Sequence, residues 1–243
     1  MNILGSGRIS AGEHNEKISV SGSGKIDGNI RCIALSCSGS VKGEGSIVCN
    51  ENISVSGSCH FTKSMSSKNV TVSGSVKVDE DITATNTVKI SGSVRCGGTI
   101  KCAALKCSGS ADIGKEIAAD EVYISGRINC AGLVNAEKIE ISLDNGLCRI
   151  GAIGGSEIKV HNDYQIKNNT RMPLLFKLVG NGNGRLNVDE LIEGDIVAIE
   201  YVKAPCVVGR VVAIGTGCEI DLVRYSEEIE IHPDAKVGRS EKI

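Results

Sequence analysis

Apolar residues recur along this chain with two superimposed rhythms. Within short segments they alternate with polar ones, as in "VKISGSVRC" (residues 88–96), "ISVSGSGKI", "ISVSGSCHF" and "VTVSGSVKV". That period-2 alternation, carried largely by β-branched residues, predicts strands with one buried face. The second rhythm is longer. Anchored on the glycine of Ser-Gly-Ser and its variants, the segments repeat at Gly5, Gly22, Gly39, Gly57, Gly74, Gly92, Gly109 and Gly126, at spacings of 17 or 18 residues. One more period reaches Leu143, where "ISLDNG" stands in place of Ser-Gly-Ser. Self-similarity at a fixed period is the signature of a solenoid.

Aligned on the glycines, the apolar residues fall into columns. Four before each glycine stand Ile18, Leu35, Ile53, Val70, Val88, Leu105 and Val122, and two before stand Val20, Cys37, Val55, Val72, Ile90, Cys107 and Ile124. Four after come Ile26, Gly43, Phe61, Val78, Cys96, Ile113 and Cys130. A third column lies nine before: Ile30, Val48, Met65, Ile100, Ile117 and Val134, with Ile82 one place off. Three apolar segments per repeat imply three strands per coil. The chain is therefore expected to be an all-β protein, a triangular parallel β-helix of 17–18 residues per coil. Like residues stack about 4.8 Å apart along its axis, so nine coils would span about 40 Å.

Gly22, Gly39, Gly57, Gly74, Gly92, Gly109 and Gly126 read as structural corners between two faces, where the chain bends tightly and a Cβ would crowd the interior. "IRCIALSCSGS" (residues 30–40) and "IKCAALKCSGS" (residues 100–110) repeat at a distance of four coils, which fits duplication of coils better than two independent sites. The rhythm holds over residues 1–160 and breaks at 161–186, an irregular excursion containing Pro173 and Phe176. Strand-like segments return over 187–243, read as a C-terminal continuation of the helix, with a small separate β domain as the alternative.

Composition narrows the core. Trp is absent, and two Phe and four Tyr are the only aromatic residues among 243, so Val, Ile, Leu, Ala and Cys must fill the interior. A formal charge of −2 gives no basic footprint for nucleic acid. The start "MNILGSGRIS" lacks a secretory signal, and no apolar run reaches the roughly 18 residues of a membrane span, so a cytoplasmic location is expected. The 11 Cys are then expected to be reduced.

Candidate chemistry is sparse. "GSADIGKE" (residues 109–116) matches a phosphate-binding loop, but Glu116 stands where Ser or Thr would hold magnesium, and Gly109 and Ile113 belong to the repeat. The C-x4-C pairs Cys32–Cys37 and Cys102–Cys107 lack the four converging ligands of a zinc site and read as small buried hydrophobes. Column counting also stacks Cys32 over Cys49 and Cys130 over Cys148. His14, His60, His161 and His232 share no coil spacing and read as solvated, while acidic clusters such as Asp79–Asp81 read as exposed turns. Neither a catalytic residue nor a cofactor or metal site is expected.

With the columns laid out, the chain resembles the bactofilins, polymer-forming bacterial cytoskeletal proteins, and among them the Gram-positive members with long cores. The "VKISGSVRC"-type units and the ending "GDIVAIEYVKAPCVVGRVVAIGTGCEIDLVRYSEEIEIHPDAKV" carry the resemblance. It implies a right-handed helix that polymerises end to end without nucleotide and scaffolds cell-envelope or morphogenesis proteins. The expected partners are further copies of the chain, other bactofilins or envelope proteins. The repeat begins by Gly5, which leaves little room for the family's membrane-targeting segment, so membrane association at the inner face stays open.

Physical chemistry points the same way. The last coil at either end of a β-helix exposes unpaired backbone groups, a template for another chain. Longitudinal contacts are expected at Ile3, Leu4 and Ile9 in the first coil and at Ile229 and Ile231 in the last strands. Competing readings are a left-handed β-helix acyltransferase, a carbohydrate-active right-handed β-helix and a non-polymerising binding scaffold. The acyltransferases carry an apolar-Gly hexapeptide on all three faces, whereas glycine recurs here once per coil.

Overall fold

The computed structural model describes residues 1–143, 146–162 and 184–243, and every regular element in it is a β-strand. No helix among the described residues is long and apolar enough to cross a membrane. The chain forms two compact units, Met1–Ala119 and Asp120–Ile243.

In the first unit each strand beyond the first coil pairs in parallel with the strands one coil before and one coil after. Val88, for example, lies between Val70 and Leu105. One coil illustrates the three faces: Ser40–Gly43, Ile47–Cys49 and Asn52–Val55, called faces A, B and C. Along each, buried and exposed residues alternate, as the sequence pattern requires. The parallel β-solenoid is thus the fold of this chain.

Two of the column sets hold as expected. Face A stacks Ile26, Gly43, Phe61 and Val78, and face C stacks Leu35, Ile53, Val70, Val88 and Leu105. Face B differs from the expectation. Its buried column runs Ile30, Ile47, Met65, Ile82, Ile100 and Ile117, so Ile47 rather than Val48 points inward, and Ile82 is fully in line. The extra residue of the 18-residue coils falls in the turn from face B to face C: three positions separate Cys32 from Leu35, but four separate Cys49 from Ile53.

The core is one coil wide and filled by aliphatic side chains and thiols. Its largest member, the fully buried Phe61, has room because Gly43 lies beneath it; a Cβ there would sit 2.7 Å from Phe61 Cδ1. Large over small keeps the stack at native density without shifting the backbone.

The Ser-Gly-Ser corners fasten coil to coil. At Gly39 the amides of Ser38 and Gly39 both donate to Val20 O, at 2.9 and 3.2 Å, and Ser40 N donates to Gly22 O at 2.9 Å. The same pattern repeats at Gly57, Gly74, Gly92 and Gly109. None of these glycines has a positive φ, so left-handed backbone is not the reason for them. Close approach is. A Cβ on Gly39, Gly57, Gly74, Gly92 or Gly109 would lie 1.9–2.0 Å from the carbonyl oxygen of the corner glycine one coil below. What a side chain would crowd is therefore the stacked backbone rather than, as the sequence suggested, the interior.

In the second unit the strands are longer and the corners looser. Leu147–His161 pairs with Arg127–Ser142 below and with Ile192–Ile199 above. The excursion expected at 161–186 lies, for residues 163–183, outside the described residues, with Pro173 and Phe176 in it. At both of its borders the chain is in the stack: His161 pairs with Ser142, and Arg185 with Leu147. Val202–Ile214, Glu219–Ile231 and Lys236–Lys242 continue the parallel ladder. The expected stacking of Cys130 on Cys148 fails: the register sets Cys130 against Ile150, 20 residues on, and Asn129 against Arg149.

The corner geometry separates two glycines that look alike in sequence. Gly5 stands in the first coil, and a Cβ on it meets nothing within 4 Å. Gly74→Ala should cost about 3 kcal/mol of unfolding free energy, whereas Gly5→Ala should change it by less than about 0.5 kcal/mol. Denaturant titration followed by circular dichroism measures both; equal effects would contradict the close-approach account.

Candidate functional site

Two features stand apart from the repeating scaffold: the open ends of the ladder and a buried polar corner in the second unit. At the first end, Asn2 and Ile3 pair only with Ser19 and Val20, and Ser6–Val20 pairs along residues 6–14 only with the coil that follows. At the last end, Lys236–Lys242 pairs only with the strand preceding it, and residues 228–231 pair only with 211–214. Among the described residues, then, each end presents strand edges whose amides and carbonyls have no ladder partner.

The sequence-designated contact residues are placed unequally on these edges. Leu4 is 82% exposed and points outward at the corner, and Ile231 is 39% exposed. Ile3 and Ile229 are half-buried. Ile9 is different: its side chain is 0% exposed. Ile3 folds over Gly7, where a Cβ would meet Ile3 Cγ2 at 2.9 Å, and so closes the core at that end. Only the backbone of Ile9 is left for a contact. The corner glycines Gly22, Gly39, Gly57, Gly74, Gly92, Gly109 and Gly126 take no part in either feature; they hold the scaffold.

The second feature was not legible as a site. At the place of the first unit's corner serine, the second has Ser142, His161, Glu200, Gly215 and His232, each one residue past the last inward position of face C. The backbone bonding is retained: Glu200 N donates to Val160 O at 2.9 Å and Gly215 N to Ile199 O at 2.7 Å. Four of the five buried polar residues of the described chain, Ser142, His161, Asn162 and Glu200, gather here. His161 thus departs from the expectation of a solvated histidine; its Nε2 lies 3.4 Å from Glu140 Oε1.

Glu200 is 5% exposed, and its Oε2 has no hydrogen-bond partner among the described residues. Removal from water disfavours the carboxylate and raises its pKa from the ordinary 4.5 to about 7, against a smaller opposing pull from the backbone amide of Asn162. Gly215 makes room for it, since a Cβ there would lie 2.5 Å from Glu200 Cγ. The next residue, Tyr201, adopts φ 54°, an uncommon conformation for a non-glycine residue. The only forewarning in sequence was the loss of Ser-Gly-Ser after residue 126.

Elsewhere the chemistry is structural. His60 Nε2 and Lys77 Nζ hold Asp79 at 2.9 and 2.8 Å, and the hydrogen bonds from Lys77 and then His60 keep its carboxyl below the usual range. Asp81 Oδ1 accepts the amide of Thr99 at 2.7 Å and so tethers successive turns. Residues 109–116 run through the strand Ser110–Ile113 with Ile113 buried, a repeat corner and not a phosphate loop. No three His, Cys, Asp or Glu among the described residues are placed to hold a metal ion.

Two proteins of Bacillus subtilis (strain 168) are similar in sequence. The uncharacterized protein YhbF is 29% identical over 112 residues, 46% of this chain and 42% of its own length. The uncharacterized protein YhbE is 32% identical over 113 residues, 46% of this chain and 44% of its own. The chain therefore matches less than half the length of these curated relatives. No family model and no solved structure matches the chain.

Glu200 gives the second unit a pH dependence of definite sign. The folded protein keeps a proton that the unfolded chain releases, so this contribution is complete below about pH 4.5 and is lost as pH rises through about 7. Glu200→Gln should remove that slope and raise stability at pH 8 by about 2 kcal/mol. Unfolding titrations of both proteins at pH 5 and pH 8 check it; parallel pH profiles would contradict the assignment.

Proposed function

We propose that the protein is a structural homopolymer, a bactofilin-like cytoskeletal element whose copies add end to end without nucleotide and scaffold other cell-envelope or morphogenesis proteins. The observation that carries this reading is the match between its two open ends. Ile3 stands in the column of Val20, the last inward position of face C, and Ile231 stands in the same position above Ile214. A copy added in register would therefore set Ile231 against Ile3, Ile229 against Met1 and Val237 against Ile9.

Met1 and Ile231, each 39% exposed, would leave water together, and three open strand segments at one end would meet three at the other. The same register brings Arg8 over Lys236 and Glu13 over Glu241. These like charges are already offset: Arg8 by Asp27, Lys236 by Glu219, and Glu241 by Arg224 and Arg239. The balance of charge also favours head-to-tail order. Residues 1–119 carry 13 basic and 10 acidic side chains, and residues 120–243 carry 14 and 19.

Leu4, exposed at the rim, would extend the apolar contact sideways. A lysine in the closed column would bury an unpaired ammonium, at a cost of several kcal/mol per contact. Ile231→Lys and the double variant Ile3→Lys, Leu4→Lys should each sediment as monomers or dimers while keeping the β circular dichroism of the parent. Polymers of unaltered size from both variants would overturn the proposed contact.

A further inference from the structure

Ten of the 11 cysteines are buried, where a thiol acts as a small hydrophobe. Cys32 and Cys49 are in-register partners on face B of successive coils, and their sulfurs lie 3.2 Å apart. Neighbouring strands in a sheet lie about 4.8 Å apart, within the roughly 4.4–6.8 Å between α-carbons that a disulfide spans. Both residues end face B, one side chain below the turn, with Asn50 exposed and Ile33, Ala34 and Glu51 half-exposed beside them. A second contact lies close by: Cys37 shares a hydrogen bond with Cys59, and these four thiols are near enough to influence one another's ionisation.

We propose that Cys32 and Cys49 form an oxidisable dithiol, closed by a small neutral peroxide into a disulfide that staples two successive coils. The Cys32 thiolate attacks one peroxide oxygen, the O–O bond breaks, and Cys32 becomes a sulfenic acid while the departing hydroxide takes a proton to become water. Cys49 Sγ then attacks the sulfenic sulfur. The S–O bond breaks as the S–S bond forms, and the Cys49 proton leaves with the hydroxide as a second water. Two thiols lose two electrons and one hydrogen peroxide is reduced to two waters.

The shared hydrogen bond suits this division of labour. It lowers the pKa of Cys32, whose thiolate it stabilises, and raises that of Cys49, which holds the proton. Peroxide is small and uncharged, as entry past a half-exposed turn requires. Cys37 and Cys59 belong to different faces of their coils, C and A, and meet across the corner rather than in register.

The test uses the full-length folded protein, reduced, desalted and treated with hydrogen peroxide, then alkylated and weighed intact. The expected product has lost two hydrogens. Trypsin releases residues 32–42 and 43–63, each with two of the four thiols, so tandem fragmentation of the linked pair assigns the bond. The assignment should be Cys32–Cys49. The Cys59→Val variant should form the same link and Cys49→Val none, with circular dichroism confirming that both fold. Closing a loop of this size should also raise the melting temperature of the oxidised protein by roughly 5 °C, reversibly with dithiothreitol. A Cys37–Cys59 link, a mixture among the four thiols, or oxidation only in denaturant would overturn the proposal.

Discussion

At each Ser-Gly-Ser corner the backbone of one coil sits so close to the next that no side chain fits between them, and the rest of the molecule follows from that contact. Two amides converge on a single carbonyl below, at 2.9 and 3.2 Å in the case of Ser38 and Gly39. A β-carbon at Gly39 or Gly57 would lie only 1.9 Å from the carbonyl beneath it. With the corners fixed in height, strands on all three faces must run parallel and in register, since a slip of one residue would turn every inward side chain outward. The interior is then a set of short columns, too narrow for aromatic layers. Among the described residues the one Phe, Phe61, lies over a glycine.

The second unit shows what happens when the corner is relaxed. The backbone ladder persists, with Glu200 and Gly215 donating to the strands below as the corner serines do. The side chains no longer repeat. An imidazole and a carboxyl are carried into the place of the corner serine, and burial, which makes the charge costly, raises the carboxyl's pKa to about 7. The polar corner is thus a local departure tolerated by a scaffold whose hydrogen bonds lie elsewhere.

Much of this fold was legible in the sequence, for a physical reason: in a parallel solenoid the period of the sequence is the period of the structure. Faces A and C could be read directly, because both adjoin the glycine used as the origin. Face B was misread at Val48 and Ile82, where the count ran backward from the following glycine across the turn that holds the extra residue. Counted forward, Ile30, Ile47, Met65, Ile82, Ile100 and Ile117 all stand eight residues after a corner. The stacking expected of Cys130 on Cys148 failed likewise, Cys130 being paired with Ile150. Of the candidate contact residues, Ile3, Ile229 and Ile231 lie on open edges, but Ile9 does not expose its side chain. Sequence periodicity tells which way a residue points and not what folds over it. Glu200 and His161 were invisible as a pair, because they become neighbours only across residues 163–183.

Each end of the ladder leaves strand edges without a partner among the described residues. The account therefore turns on whether copies of the chain continue the stack. Negative-stain electron microscopy of the purified protein, with EDTA present and no nucleotide, asks this directly. Unbranched filaments a few nanometres wide are the predicted result. Uniform single particles at concentrations well above micromolar would contradict it.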